Sequence, residues 1–266
     1  MVEPQYNGQK TDLVAFSSST VGGVFDYFLS QIKIRGVTDA QAGTWVMLPE
    51  PNVPEWSTLD PTLFTANFTA LGRMFKGYFP SARLGILLDS TTYTQNSYAS
   101  SGTRSSLVPY LNDVPADLVD VFILQGFPWT PPAGQDGAVL DAAIYLKSSL
   151  ATEAATALGV KDVWLYTGAY STIYVNDPSK IVRATPAERQ KMLDSTLTQA
   201  RAVQKSGFNV GIMLFAEDTS ASAEASDWSF WHGDTVSVAD DGAKLFSVFA
   251  DEAVAQNFSL GVYDSN

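Results

Sequence analysis

The sequence predicts an α/β fold, a (β/α) TIM-type barrel that is incomplete or permuted, with six to seven recognisable strands. Three observations predict it. Short apolar runs alternate with longer helical patterns along the chain. Each run is apolar on both faces, as parallel strands buried under helices are. No Gly-x-Gly-x-x-Gly follows the first run, and single helices of about 12 to 22 residues between strands suit a barrel better than an open nucleotide-binding sheet.

The elements follow in order. Asp12 to Phe16 is apolar and stops at Ser17-Ser-Ser-Thr20, a strand and a turn. Val24 to Ile34 carries Phe25, Phe28, Leu29 and Ile32 at helical spacing. Thr44 to Leu48 is a second strand, stopped by Pro49-Glu-Pro-Asn52. Pro61 to Tyr78 is a helix, with proline in its first turn and Leu63, Phe64, Ala66, Phe68, Leu71, Met74 and Phe75 as its apolar positions. Arg83 to Asp89 is a third strand and Leu118 to Leu124 a fourth. Asp136 to Leu158 is an alanine-rich helix closed by Gly159. Asp162 to Tyr166 is a fifth strand, Pro186 to Ser206 a helix ended by Gly207, and Asn209 to Phe215 a sixth strand. Asp240 to Gln256 forms the last helix. The longer stretches Thr91 to Ser106 and Glu217 to Gly233 follow strand C-termini, where barrels carry their working loops. No linker divides the chain, so residues 1–266 read as one domain.

Composition narrows the function. The chain has 266 residues, 16 basic and 28 acidic, for a net charge of −12 and a pI near 4.4. That field repels phosphate backbones and anionic bilayers, so no nucleic-acid partner is expected. No apolar run is long enough to span a bilayer, so neither is membrane insertion. Cysteine is absent and His232 is the one histidine, which removes thiolate chemistry and a His-rich metal centre. With no phosphate-cradling glycine loop and no Asp-x-Asp-x-Asp-Gly calcium loop, neither cofactor nor metal is expected. Aromatics are 12% of residues, and rings are the surfaces on which sugar C–H faces stack.

In a parallel barrel the working residues terminate strands. Reading each strand to its end yields Glu50, Asp89, Gln125, Tyr166 with Thr167, and Glu217 with Asp218. Carboxylates on one rim, without cysteine, point to carboxylate acid/base chemistry. Glycoside hydrolysis is its commonest use, one carboxyl protonating the leaving oxygen and a second serving as nucleophile or as base toward water. Strand-ending acids also serve as helix caps or solvated loop residues, a plainer role that Asp89, followed by Ser-Thr-Thr, suits well.

Phe25-Asp-Tyr-Phe-Leu29 together with Trp45-Val-Met-Leu-Pro-Glu-Pro-Asn52 and Trp56 resembles the fourth βα unit of family twenty-six glycoside hydrolases, mannanase-like retaining barrels. There a strand ends in His-Glu-x-Asn, the glutamate acting as general acid/base. The resemblance implies that role for Glu50 and sugar binding for Asn52 and Trp56, with Pro49 at the histidine position. Phe64 to Ile86 is similar to the helix and strand that follow. Asp117 to Phe127 is similar to the sixth-strand pattern, with Gln125 and Phe127 where an aspartate and a sugar-contacting tyrosine are usual. Trp129, directly after that strand, is a candidate stacking ring. Gly211 to Glu217 with Asp227-Trp228 resembles the eighth strand and its sequel, which implies a contact for Trp228. The family ends its seventh strand in a nucleophilic glutamate. Here Tyr166 holds that position, as a pocket wall or as a tyrosinate nucleophile, and Asp89 or Glu217 is left to supply the second carboxylate.

Under the same resemblance Asp12 to Phe16 is the third strand, so the first two are missing from their usual place. Phe258 to Tyr263 resembles a first strand, packed beside the eighth or opening a further unit. An incomplete barrel exposes edge strands, and dimerisation through that gap is one expectation. The leading functional reading is a glycoside hydrolase on a polysaccharide or oligosaccharide, outside the cell or on its surface. The alternative is a catalytically impaired barrel that holds glycan or serves a larger assembly. The sequons at Asn67 and Asn257 fall in predicted helices and carry little weight.

Overall fold

The computed structural model describes residues 19–48, 51, 61–90, 108–126, 148–167, 172–174, 181–183, 186–215 and 248–263. The expected strand at Asp12 to Phe16 lies outside them.

Helix α1 (Ser19–Ile34) starts earlier than the periodicity suggests. Gly22 and Gly23 weaken helix propensity, which hides the first turns in the sequence, but Phe25 and Leu29 bury against the core and carry the helix through them. A short α2 (Asp39–Ala42) has a reciprocal cap, in which Thr38 Oγ1 accepts from the Gln41 N–H and Gln41 Oε1 accepts from the Thr38 N–H. Strand β1 (Thr44–Val46) follows directly.

Helix α3 (Pro61–Tyr78) has the predicted bounds. Its Phe64, Phe68, Leu71 and Phe75 form the buried stripe, and Gly72 lets it approach the sheet. A Cβ on Gly72 would stand 2.7 Å from the Leu84 side chain and 2.9 Å from that of Leu118. Asn67 is buried in the same stripe, its Nδ2 without a hydrogen-bond partner, so that sequon is not an accessible acceptor. Strand β2 (Arg83–Asp89) is buried from Leu84 onward.

After a 3₁₀ turn (Val108–Tyr110) comes β3 (Val121–Gln125), which begins later than Leu118. Leu118 closes a turn on the Pro115 carbonyl, and Asp120 turns its carboxylate back to accept the Leu84 N–H at 2.7 Å. The Asp120 N–H also donates to the Leu84 carbonyl at 2.8 Å, so Asp120 lies against β2 just ahead of the strand. Helix α4 (Ser148–Leu158) packs a small-residue face, Ala151, Ala154 and Ala155, against β3 and β4. Gly159 closes it at φ 70°, a backbone conformation that side chains resist. Residues 136–147 of that predicted helix lie outside the described residues.

Strand β4 (Asp162–Thr167) is as expected. An antiparallel pair, β5 (Thr172–Tyr174) and β6 (Ile181–Arg183), was not expected, because three residues are too few to show a period. Helix α5 (Pro186–Lys205) and strand β7 (Asn209–Phe215) match the reading closely. The described part of the last helix, α6, covers 248–255, and β8 (Ser259–Tyr263) pairs in parallel with β7. The C-terminal segment thus takes the first of its two expected placements. Asn257, expected in a helix, instead sits exposed in the turn before β8 at φ 60°, a conformation asparagine tolerates.

The main sheet runs β1-β2-β3-β4-β7-β8, every pair parallel. That order never reverses. Right-handed crossovers that always step in one direction place all their helices on one face, whereas a doubly wound sheet reverses and covers both. A sheet so covered buries its other face by curling on itself, and six strands make the curled half of a barrel.

Candidate functional site at the C-terminal strand ends

The helix face of the sheet is identified by contact. Leu84 meets Gly72 of α3, and its register partner Trp45 stacks on Phe75 of α3 with ring centroids 4.8 Å apart. Trp45 is therefore core, as the sequence suggested. By strand alternation Gly85, Leu87 and Asp89 face the opposite, concave side. A Cβ on Gly85 would stand 3.0 Å from Val121 and 3.4 Å from Ile123, which confirms that those two share its side.

Register carries this face across the sheet. Asp89 pairs with Gln125, Gln125 with Tyr166, and Tyr166 with Met213, one row at the C-terminal ends of β2, β3, β4 and β7. Three residues that the sequence selected as strand terminators are thus neighbours. All four are buried: Asp89 is 5% exposed, Gln125 7%, Tyr166 4% and Met213 9%. Strand spacing of about 4.8 Å puts the Asp89 and Tyr166 backbones roughly 10 Å apart, with the Gln125 amide between them. The ladder extends one residue past the row. Ser90 N–H donates to the Gln125 carbonyl at 2.8 Å, and Gly126 N–H to the Tyr166 carbonyl at 3.0 Å. Thr167 Oγ1, buried, donates to the Gly126 carbonyl at 2.8 Å. These bonds hold the row on rigid strand ends rather than on free loop.

Beneath it, the concave face is filled. Leu87 and Ile123 are buried, and the Trp164 indole lies across Gly211, where a Cβ would come within 2.5 Å of the ring. Arg83 is 5.6 Å below that ring and donates to Asp162 at 2.6 Å, while Asn209 donates to the other Asp162 oxygen at 2.7 Å. The N-terminal strand ends are thus a neutralised polar girdle. At the C-terminal ends, the row holds one carboxylate, one carboxamide, one phenol and one thioether, with no cation.

No protein-family model and no curated protein matches the sequence. Family twenty-six membership therefore has no support there. Among solved structures, the chain is similar to a proposed alpha-L-fucosidase from Bacteroides thetaiotaomicron, with a TM-score of 0.38 and 11% identity. That match covers 70% of this chain and 48% of the other, so this chain spans about half of that protein's length. It is a distant resemblance of outline.

A backbone feature just after β1 was not legible in the sequence. Leu48, two residues past β1 and 2% exposed, has φ 49°, which a leucine adopts only under constraint. It immediately precedes Pro49 and Glu50. Backbone strain of this kind gathers at sites where a side chain must be aimed. Glu50, Asn52, Trp56, Phe127, Trp129, Glu217 and Trp228 lie outside the described residues. Met213, which ends the row, was missed because a methionine inside an apolar strand looks like any core residue. Among the described residues no group of acids and histidines is arranged to hold a metal ion, and no helix is long and apolar enough to cross a membrane.

Proposed function

We propose that the protein is a glycoside hydrolase acting on a neutral polysaccharide or oligosaccharide, with its reaction centre at the C-terminal strand ends. The observation that carries the reading is the buried row Asp89–Gln125–Tyr166 on adjacent parallel strands. Its chemistry suits an uncharged polyol. A carboxylate accepts from sugar hydroxyls or moves a proton, a carboxamide both donates and accepts, and a phenol ring offers a stacking face and one O–H. Nothing in the row would anchor a phosphate or carboxylate ligand.

In this reading Glu50, two positions after Leu48 in sequence, is the general acid/base, and Asp89 on β2 is its companion. Tyr166, buried and in line with Gln125, forms the wall of the site. Glu217, following β7, is the other candidate for the second carboxylate. Glu50→Gln and Asp89→Asn are each expected to lower turnover by about a hundredfold or more, and Tyr166→Phe by far less. Reducing-end release from a panel of neutral polysaccharides measures this, with circular dichroism to show that the variants fold. Undiminished hydrolysis in both carboxylate variants would discard the assignment.

One observation favours a second reading. The row contains a single carboxylate, with Tyr166 where the resemblance calls for a nucleophile. A barrel that only binds glycan needs no more than that. It would show calorimetric affinity that survives Glu50→Gln and release no product from any glycan bound.

A further inference from the structure

We infer that Thr167 is a positioning residue for the row, its hydroxyl fixing the backbone that follows Gln125. Its effect on turnover rests on the hydrolase reading above. Thr167 is buried and ends β4, one residue past Tyr166. Successive side chains of a strand point to opposite faces, so Thr167 turns away from the concave side that Tyr166 faces. It acts through what it holds, not by touching a substrate on that side.

What it holds is the end of β3. Gln125 stands in the middle of the row, between Asp89 and Tyr166. Past its Cα, three backbone polar groups in succession are tied to the neighbouring strands. The Gln125 carbonyl accepts from the Ser90 N–H, just past β2, and the Gly126 N–H donates to the Tyr166 carbonyl. The Gly126 carbonyl accepts from Thr167 Oγ1 at 2.8 Å. The first two are rungs between main chains, open to almost any residue type. The third needs a side-chain hydroxyl, and it falls where the described pairing of β3 with β4 ends. It also anchors a glycine. With no Cβ, Gly126 sets little steric limit on its own dihedrals, so an unanchored carbonyl there is free to turn. Such a turn would disturb the Gln125 backbone and redirect the chain toward Phe127 and Trp129, the candidate sugar-contacting rings that follow in sequence.

Valine has nearly the shape of threonine but no donor, whereas serine keeps the donor and loses a methyl. Thr167→Val and Thr167→Ser therefore separate the hydroxyl from the packing. Each is compared with the wild type by reducing-end release from soluble mannan, glucan and xylan, and by NMR amide exchange at Gly126. Circular dichroism checks that both fold. Thr167→Val should lower kcat by about tenfold or more, with a smaller change in KM, because a displaced positioning contact costs rate. Its Gly126 amide should exchange faster, and Thr167→Ser should recover most of both losses. Wild-type turnover in Thr167→Val overturns the inference, and so does a serine variant as impaired as the valine one. If the wild type cleaves none of these glycans, the hydrolase reading falls on them and the exchange measurement decides alone. Faster Gly126 exchange in Thr167→Val, reversed in Thr167→Ser, then upholds the positioning, and unchanged exchange overturns it.

Discussion

At the scale of single residues, the position of a strand-ending side chain was legible because each of Asp89, Gln125 and Tyr166 closes an apolar run. That they stand side by side was not, since register depends on strands far apart in sequence. Asp120 shows the opposite case, a residue that resembles part of a strand but acts as a clamp. Its carboxylate accepts the Leu84 N–H and the Lys76 ammonium, both at 2.7 Å, and Lys76 also donates to the Ala82 carbonyl. Asp120→Ala removes the side-chain acceptor of a strand N–H and one of the two acceptors of the Lys76 ammonium. The expected loss is about 1.5–3 kcal/mol, read as a lower urea midpoint at unchanged m-value. Asp117, which pairs with Arg73 on the open surface, should matter much less, because solvent screens that bond.

At the scale of elements, strands and helices with a full period were read with few errors, as α3, β2 and β7 show. The β5–β6 pair and the late start of β3 were not, the first being too short to show a period and the second following a turn that Leu118 closes on the Pro115 carbonyl. Packing between β4 and β7 makes a sharp demand of its own. Trp164 fills the concave face only because Gly211 leaves room for it. Gly211→Ala is expected to cost about 1–3 kcal/mol through overpacking. Adding Trp164→Phe should reduce that cost, and a double-mutant cycle on urea midpoints measures the coupling. Additive losses would show that the ring does not depend on the glycine.

Across the whole molecule, the acidic balance sets how stability responds to pH. The Asp39 carboxyl is held below its ordinary range by the Ser81 N–H at 2.7 Å, aided by Lys33. Asp117 is held down by the hydrogen bonds from Arg73. Depressed folded values mean that the unfolded chain binds more protons as pH falls through this region. The stabilisation these groups provide is present above the ordinary carboxylate value of 3.8 and is lost below it. Urea midpoints should therefore hold through neutral pH and drop below about pH 4, with repulsion among cations adding to the fall. Asp39→Asn should flatten part of that drop.

From the amino-acid order alone came the alternation of buried strands and amphipathic helices, the residues that end each strand, and the absence of cysteine or of a phosphate-binding loop. Those are local properties, written in spacing and residue type within a few turns of chain. Only the tertiary structure decided that the strands follow one another without reversal, that β8 lies against β7, and that Asp89, Gln125, Tyr166 and Met213 share one buried row. Such pairings join residues tens of positions apart. They depend on which faces find each other as the sheet assembles, and no local period encodes that choice.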